Sequence, residues 1–226
     1  MPVAAAGAVV HAAPALSAWS PAMRRALDVR DTLADPRGVA LTFDGGPHWH
    51  GTPAVLERLR AASATATFFL VGEQVERRPA LAAEIVAAGH AVGVHGHRHR
   101  NLLRVGPRQT GEDLRRARAR IAEATGQEPL FYRPPYGVLS APALTTARRR
   151  GWETVLWARW GRDWRARATA RTVAAEAAAG LKGGEVILLH DADYYSAPGS
   201  WRTTVAALPA ILAAIGEAGL RTAALR

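Results

Sequence analysis

The sequence predicts one α/β domain whose parallel sheet curls into an irregular (β/α) barrel. Strand-like and helix-like segments alternate along the whole chain, and most strand-like runs are apolar throughout, which is typical of parallel strands covered by helices on both faces. About seven such units favour closure of the sheet into a barrel. A chain of 226 residues is long enough to form such a barrel around a single core. An open doubly wound sheet is the alternative, but the chain has neither of the Gly-rich nucleotide loops, GxGxxG or GxxxxGK[ST], that often accompany that fold.

Apolar runs bounded by Gly, Pro or polar residues predict seven strands: residues 39–43, 65–71, 91–95, 130–133, 153–157, 185–190 and 220–225. Helices are expected between them. Residues 19–33 form a helical lead-in, Thr52 caps a helix with Pro53 at its first position, and Ser140 caps another. The remaining helices are residues 79–88, 107–125, 140–150, 169–179 and 203–218, and Gly89, Gly126 and Gly151 close the first three.

Composition narrows the function classes. Apolar residues make up 49% of the chain, which indicates a globular protein, and the absence of cysteine excludes disulfides and thiolate chemistry. Any metal must therefore be held by His, Asp or Glu. The net charge of +10 comes from scattered arginines, which favours a soluble arginine-rich surface over an anionic partner. No recognition helix or base-stacking platform is evident, so no nucleic-acid partner is expected.

The first 36 residues are expected to be an N-terminal lead-in, followed by the main domain at residues 37–226. The Ala-rich stretch at residues 1–16 has no basic segment typical of a secretory signal, and it is too short to span a membrane. We therefore expect a flexible or surface-packed lead-in, a cytoplasmic location and no membrane span.

Polar side chains follow several of the predicted strands. Asp44 ends the first strand, just before Gly-Gly-Pro, and carboxylates at strand ends often carry chemistry in α/β enzymes, although Asp-Gly is also common in turns. Three histidines follow the third strand, at positions 95, 97 and 99. They could bind a cation, or they could lie in an ordinary polar loop.

Three further segments carry candidate residues. Arg133 ends a strand before two prolines and could clamp a carboxylate, or it could be a surface arginine on a proline-shaped turn. The tryptophan-rich stretch at residues 157–164 contains Asp163 and could stack on sugar rings, although tryptophans are more often core residues. His190, followed by Asp191, ends an apolar strand and is a candidate general acid or base, although a lone histidine there is more often structural.

Together, these segments in residues 39–225 resemble the polysaccharide deacetylase family, also called the NodB-homology domain or carbohydrate esterase family 4, with all five family motifs in order. The resemblance implies an irregular (β/α) barrel of the NodB type that binds a divalent metal, with zinc as the expected ion. For catalysis, the resemblance implies that Asp44 is the base, that Arg133 orients it, and that His190 is the acid, with Asp163 tuning that histidine. His95 and His99 would bind the metal. For the substrate, the backbone N–H of Tyr136 would bind the oxyanion, Trp164 would line the groove, and Leu188 would form the acetyl pocket.

One position departs from the family pattern. The first motif should read Thr-Phe-Asp-Asp-Gly-Pro, but Gly45 stands in place of the second aspartate, which is the family's metal carboxylate. A nearby histidine could replace that ligand, with candidates at positions 48, 50 and 97. Alternatively, the scaffold has left hydrolysis behind, or the substitution weakens a working enzyme.

The expected function is metal-dependent removal of an N-acetyl or O-acetyl group from an amino sugar, glycan or related small molecule. Its rival is a metal-poor relative that binds a ligand or performs non-hydrolytic acid–base catalysis, for example on a biosynthetic intermediate.

Overall fold

The computed structural model describes residues 2–226, with side chains from Gly7 onward. One curled parallel sheet forms its centre, and all strand pairs within the sheet are parallel. The strands are β1 (Val29–Arg30), β2 (Gly38–Asp44), β3 (Ala66–Leu70), β4 (Ala91–Val94), β5 (Phe131–Tyr132), β6 (Glu153–Val155), β7 (Arg159–Trp160), β8 (Val186–His190) and β9 (Arg221–Thr222).

The sheet order is β1-β6-β5-β4-β3-β2-β8-β7, and β9 pairs with the beginning of β2. Within residues 2–226 no ladder joins β7 to β1, so the barrel is incomplete on that side. This architecture confirms the predicted irregular (β/α) barrel.

Helices surround the sheet: α1 (Pro2–Ala12), α2 (Pro21–Ala26), α3 (Gly51–Ala61), α4 (Gly72–Arg77), α5 (Pro79–Ala87), α6 (Pro107–Thr125), α7 (Ala141–Arg149), α8 (Ala170–Ala178) and α9 (Ser200–Glu217). Apolar side chains from these helices and from the strands form the main core. Among the described residues, none of these helices combines the length and apolar character needed to cross a bilayer.

Strand β2 determines where the functional residues lie. All seven of its residues are buried, because β3 and β8 flank it and helices cover the sheet. Its register with β8 places Asp44 opposite His190, and its register with β3 places Asp44 opposite Phe69. The two chemically active side chains predicted at the first and sixth strand ends are therefore neighbours in the sheet.

Several local predictions were wrong. Helix α3 begins at Gly51, and the Thr52 hydroxyl donates to the buried Asp191 carboxylate instead of capping the helix. Ser140 precedes α7 but makes no side-chain capping bond. The predicted helical lead-in contains the short strand β1, which pairs with β6. Helix α4 and strand β7 were not predicted.

Candidate active site

A cavity of about 280 Å³ opens at the carboxyl ends of the strands. Ionisable groups from β2, β8 and the loop after β4 meet aromatic side chains from other loops around it. Its wall is formed by Asp44, Gly45, His95, His99, Tyr136, Gly137, Trp157, Trp160, Trp164, Leu188, His190, Ala192, Tyr195 and Ser196. The structure therefore brings most of the residues singled out from the sequence to one place, although their roles remain predictions.

Arg133 fixes the orientation of Asp44. The arginine is fully buried, and its Nη1 donates to Asp44 Oδ1 at 2.8 Å and to the Thr42 hydroxyl at 2.7 Å. Its other donors reach the carbonyl oxygens of Val155 (3.1 Å) and Leu156 (2.9 Å). Since each donor group of the planar guanidinium is engaged, its orientation is fixed, and Asp44 is held through Oδ1 with Oδ2 3.7 Å from His95 Nε2.

Two neutral histidines lie beside this pair. The Nδ1 of His95 is 2.8 Å from the carbonyl oxygen of Arg133, so that nitrogen carries the proton and Nε2 keeps its lone pair, 3.7 Å from Asp44 Oδ2. Burial lowers the pKa of His95, and it lowers the pKa of His99 to about 2. The His99 ring lies 5.0 Å from that of His95, and it stacks on Tyr195 at 4.1 Å with the planes 7° apart.

Gly45 leaves the family's third ligand position without a donor atom. A Cβ added there would lie 3.8 Å from both Ala192 Cβ and Tyr195 Cδ2, an ordinary contact distance, so there is room for a side chain. However, Gly45 has a φ of +98°, a conformation that residues with a side chain rarely adopt. The backbone conformation at position 45 therefore favours glycine over a residue with a side chain.

The three histidines proposed as substitute ligands point to other partners. His48 Nδ1 accepts the Gly51 N–H at 2.9 Å, at the start of α3, and its Nε2 lies 3.3 Å from Asp193 Oδ1. The His50 ring lies next to the rings of His48 and Trp201. None of these side chains belongs to the cavity wall among the described residues.

His97 also lies away from the cavity, with Nε2 3.9 Å from Glu76 Oε2. Among residues 7–226, no three His, Asp or Glu side chains are arranged to hold a metal. His95 and His99 offer two imidazole nitrogens, but the donor set does not fit the three-ligand metal site that the family resemblance implies.

His190, which is partly exposed at the end of β8, pairs with the buried Asp163 from the loop after β7. The His190 Nδ1 is 2.9 Å from Asp163 Oδ1, and Asp163 Oδ2 accepts the His190 backbone N–H at 2.6 Å and the Thr204 hydroxyl at 2.7 Å. Burial alone would lower the pKa of His190, but the charge and hydrogen bond of Asp163, with Asp44 and Asp191 further away, raise it overall. Asp163 therefore favours the protonated form of the imidazole and holds the ring through Nδ1, and His190 lines the cavity.

Aromatic and apolar side chains complete the wall. Leu188 is buried two residues before His190 on β8, and Trp164 meets the His190 ring edge-on at 5.5 Å. Trp157 and Trp160 extend this surface, as the tryptophan-rich stretch suggested. Tyr136 is exposed and has a positive φ of +61°, at the turn that follows Arg133 and the two prolines.

Sequence reasoning missed Tyr195, which covers His99 and lines the cavity. Its hydroxyl donates to Glu73 Oε1 at 2.7 Å and accepts from Gln74 Nε2 at 3.1 Å. The signal that could have found it is the pair of tyrosines that follows His190, the last residue of an apolar strand, by four and five residues.

Comparisons with known proteins identify the family. A family model described as polysaccharide deacetylase matches residues 33–155, more than half of the chain. The chain belongs to the polysaccharide deacetylase family. Among its relatives, a peptidoglycan-N-acetylglucosamine deacetylase from Bacillus cereus is 35% identical over 187 residues, covering 81% of this chain and 84% of that protein. A chitooligosaccharide deacetylase from a Bradyrhizobium species is also 35% identical, covering 70% of this chain and 73% of that protein.

Solved structures of family members share the fold. A peptidoglycan N-acetylglucosamine deacetylase bound to a hydroxamate compound superposes with a TM-score of 0.84 at 29% identity, over 92% of this chain and 95% of that chain. A carbohydrate esterase family 4 pseudoenzyme from Bacillus anthracis superposes with a TM-score of 0.74 at 25% identity, over 82% of this chain and 63% of that chain. The family therefore includes both enzymes and a protein described as a pseudoenzyme.

Proposed function

We propose that this family member hydrolyses the N-acetyl group of an amino sugar within a glycan, releasing acetate and a free amine. One observation carries the proposal: Asp44 and His190 face one cavity from adjacent strands, and each is held by its own buried partner of opposite charge. A carboxylate base and a protonated imidazole acid on either side of one pocket are what amide hydrolysis needs. The relatives that deacetylate amino-sugar polymers support the same substrate class.

The residues can be assigned to steps as follows. Asp44 takes a proton from a water molecule whose oxygen attacks the acetyl carbon, and the backbone N–H of Tyr136 donates to the oxygen that becomes negative. The carbon–nitrogen bond then breaks as His190 gives its proton to the departing amine nitrogen. Leu188 provides the apolar surface for the acetyl methyl group, and Trp164 holds His190 from the side.

Gly45 supports a second candidate function. With the third metal donor missing, the cavity could bind an acetylated sugar without hydrolysing it, and the family does contain a protein described as a pseudoenzyme. The rival predicts that glycan binding survives while acetate release is absent under all metal conditions.

Acetate release from N-acetylglucosamine oligomers tests both functions. The protein would be assayed as purified, after treatment with a chelator, and with added zinc, next to the Asp44→Asn and His190→Gln variants. We expect hydrolysis by the unaltered protein and a loss of about 10²-fold or more in each variant, the usual scale for removing a general acid or base. Glu217→Gln, at the exposed end of α9, is the control.

Circular dichroism would confirm that the variants fold. Absence of acetate release in all three metal conditions, with a glycan still bound, would overturn the hydrolase proposal and favour the binding function.

A further inference from the structure

Tyr195 covers one of the two neighbouring histidines in the cavity wall. Its ring is nearly parallel to the ring of His99, with the ring centres 4.1 Å apart and the planes 7° apart, and both side chains line the cavity. Tyr136 meets the same imidazole in a T-shaped arrangement, with the ring centres 4.5 Å apart and the planes at 74°. The imidazole of His99 is therefore in contact with two tyrosine rings.

The His99 ring lacks the hydrogen bond that fixes the ring of its neighbour. The Nδ1 of His95 is 2.8 Å from the carbonyl oxygen of Arg133, whereas the Nδ1 of His99 is buried and has no hydrogen-bond partner within residues 7–226. The outer side-chain torsion of histidine has broad minima, so the ring turns easily unless its contacts hold it. The plane of the His99 ring is therefore set by its aromatic contacts.

Of the two tyrosines, Tyr195 is the better anchored. Its hydroxyl donates to Glu73 Oε1 at 2.7 Å and accepts from Gln74 Nε2 at 3.1 Å. Both partners lie on α4, whereas Tyr195 belongs to the loop after β8, so these hydrogen bonds tie that loop to the helix. Tyr136 leaves 56% of its surface exposed and restrains the imidazole less.

Tyr195 also lies beside the position that departs from the family pattern. A Cβ added to Gly45 would be 3.8 Å from Tyr195 Cδ2, so the tyrosine ring borders the space in which the family's second aspartate would stand. Among residues 7–226, no third ligand side chain accompanies His95 and His99. The placement of the His99 ring in this chain therefore depends on the side chains that pack against it.

We infer that Tyr195, anchored by Glu73 and Gln74, is a positioning residue that holds the His99 imidazole in the cavity wall, where it contacts the acetyl group of the substrate. A group that is misplaced by about 1 Å lowers the rate of the chemical step strongly, because that step depends on the geometry of the reacting groups. The inference rests on the proposed function for the reaction itself, but the orientation of the His99 ring can be measured without any reaction.

Nuclear magnetic resonance of the histidine rings tests the orientation directly. The His99 signals would be assigned in histidine-labelled protein by comparison with the His99→Gln variant. Protons over the face of an aromatic ring are shielded, so Tyr195→Leu should move the His99 ring-proton signals downfield, and Tyr195→Phe should keep most of the shielding because it keeps the ring. Tyr194→Leu is the matched control, since Tyr194 is the preceding residue and is absent from the cavity wall, and it should leave the signals in place.

Acetate release from N-acetylglucosamine oligomers tests the consequence for catalysis. We expect Tyr195→Leu to lower kcat by about tenfold, the upper end of the effect of one aromatic pair, and to leave KM within about twofold. Tyr195→Phe and Glu73→Ala should each lower kcat by about threefold, the usual effect of one hydrogen bond. Because both remove the same hydrogen bond, the double variant should lose no more than either single variant. Glu84→Ala, exposed on α5, is the control for Glu73→Ala.

Three results would overturn the inference: His99 signals that stay in place in Tyr195→Leu, equal losses of kcat in Tyr195→Leu and Tyr194→Leu, or a raised KM with an unchanged kcat. Circular dichroism would show whether Tyr195→Leu folds. If it does not, the Tyr195→Phe and Glu73→Ala pair decides, and fully additive losses of kcat would overturn the inference. Failure of the proposed function is separate, because it appears as absent acetate release in the unaltered protein while the His99 signals still report the stack.

Discussion

Replacing Gly45 by aspartate should create a metal site at the expense of backbone strain. The new carboxylate would stand next to His95 and His99, as the family pattern requires, and its Cβ would meet its neighbours at 3.8 Å without a clash. The φ of +98° is the obstacle, because a side chain in such a region costs about 1–3 kcal/mol. For a domain of this size, that corresponds to a fall in Tm of about 2–4 °C per kcal/mol.

Zinc should reverse this loss in the variant only. A ligand that binds the folded state stabilises it by about 2.7 kcal/mol when present at 100 times its Kd, which is similar to the strain. We therefore expect Gly45→Asp to melt below the unaltered protein without metal and near it with zinc. Elemental mass spectrometry should find near-stoichiometric metal in the variant and substoichiometric metal in the unaltered protein.

Gly126→Asp is the matched control, because Gly126 also has a positive φ, +68°, and open space around it, but no histidine next to it in the sequence. It should show the strain without the rescue by zinc. Near-stoichiometric zinc in the unaltered protein would refute the reasoning, since it would mean that His95 and His99 suffice or that an unrecognised donor completes the site. A variant that neither binds zinc nor regains stability would show that position 45 cannot supply the ligand in this backbone.

Three further predictions concern the buried charges. Asp163→Asn should lower the pKa of His190, whose acid form Asp163 supports, so the alkaline limb of the kcat/KM profile should move to lower pH. Arg133→Lys cannot reproduce the fork that holds Asp44, so kcat should fall about 10²-fold and urea unfolding should show a stability loss of about 2–3 kcal/mol. Burial raises the pKa of Asp191 to about 6, so the folded protein loses stability as the pH rises from about 4 to 6 and this carboxyl group ionises. Asp191→Asn should therefore raise the Tm at pH 7 and change it little at pH 4. An unchanged pH profile, an unchanged kcat or a lower Tm at pH 7 would contradict the respective prediction.

Elements with strong local signals were predictable from the sequence. Helix α6 begins at Pro107 and ends before Gly126, as its boundary residues predicted, since both signals act within one turn of the helix. Strand β2 was also predictable, because its continuous apolar run can be buried only between two other strands. The order of the functional motifs then placed Asp44 and His190 at the same edge of the sheet.

Elements that depend on pairing were not predictable. Strands β1 and β7 have only two residues each, and they exist because β6 and β8 offer them free edges. The direction of His48 was equally hidden, since its Nδ1 accepts a backbone N–H at the start of α3, a contact set by where the chain turns. Proximity in sequence to the metal position therefore said nothing about proximity in space.

The two buried ion pairs are more informative about function than about stability. Arg133 and Asp163 are fully buried, Asp44 is almost so, and only His190 is partly exposed. Replacing such pairs by well-packed apolar side chains is often neutral or stabilising in other proteins. Folding alone therefore does not require a guanidinium whose donors are all engaged beside a cavity. Nor does it require a carboxylate that raises the pKa of a histidine at the end of the adjacent strand. Because both pairs aim a titratable group into the same pocket, proton transfer explains their burial better than packing does. This argument does not depend on Gly45, and it is why acid–base chemistry is the part of the proposed function that would survive even if the protein keeps no metal.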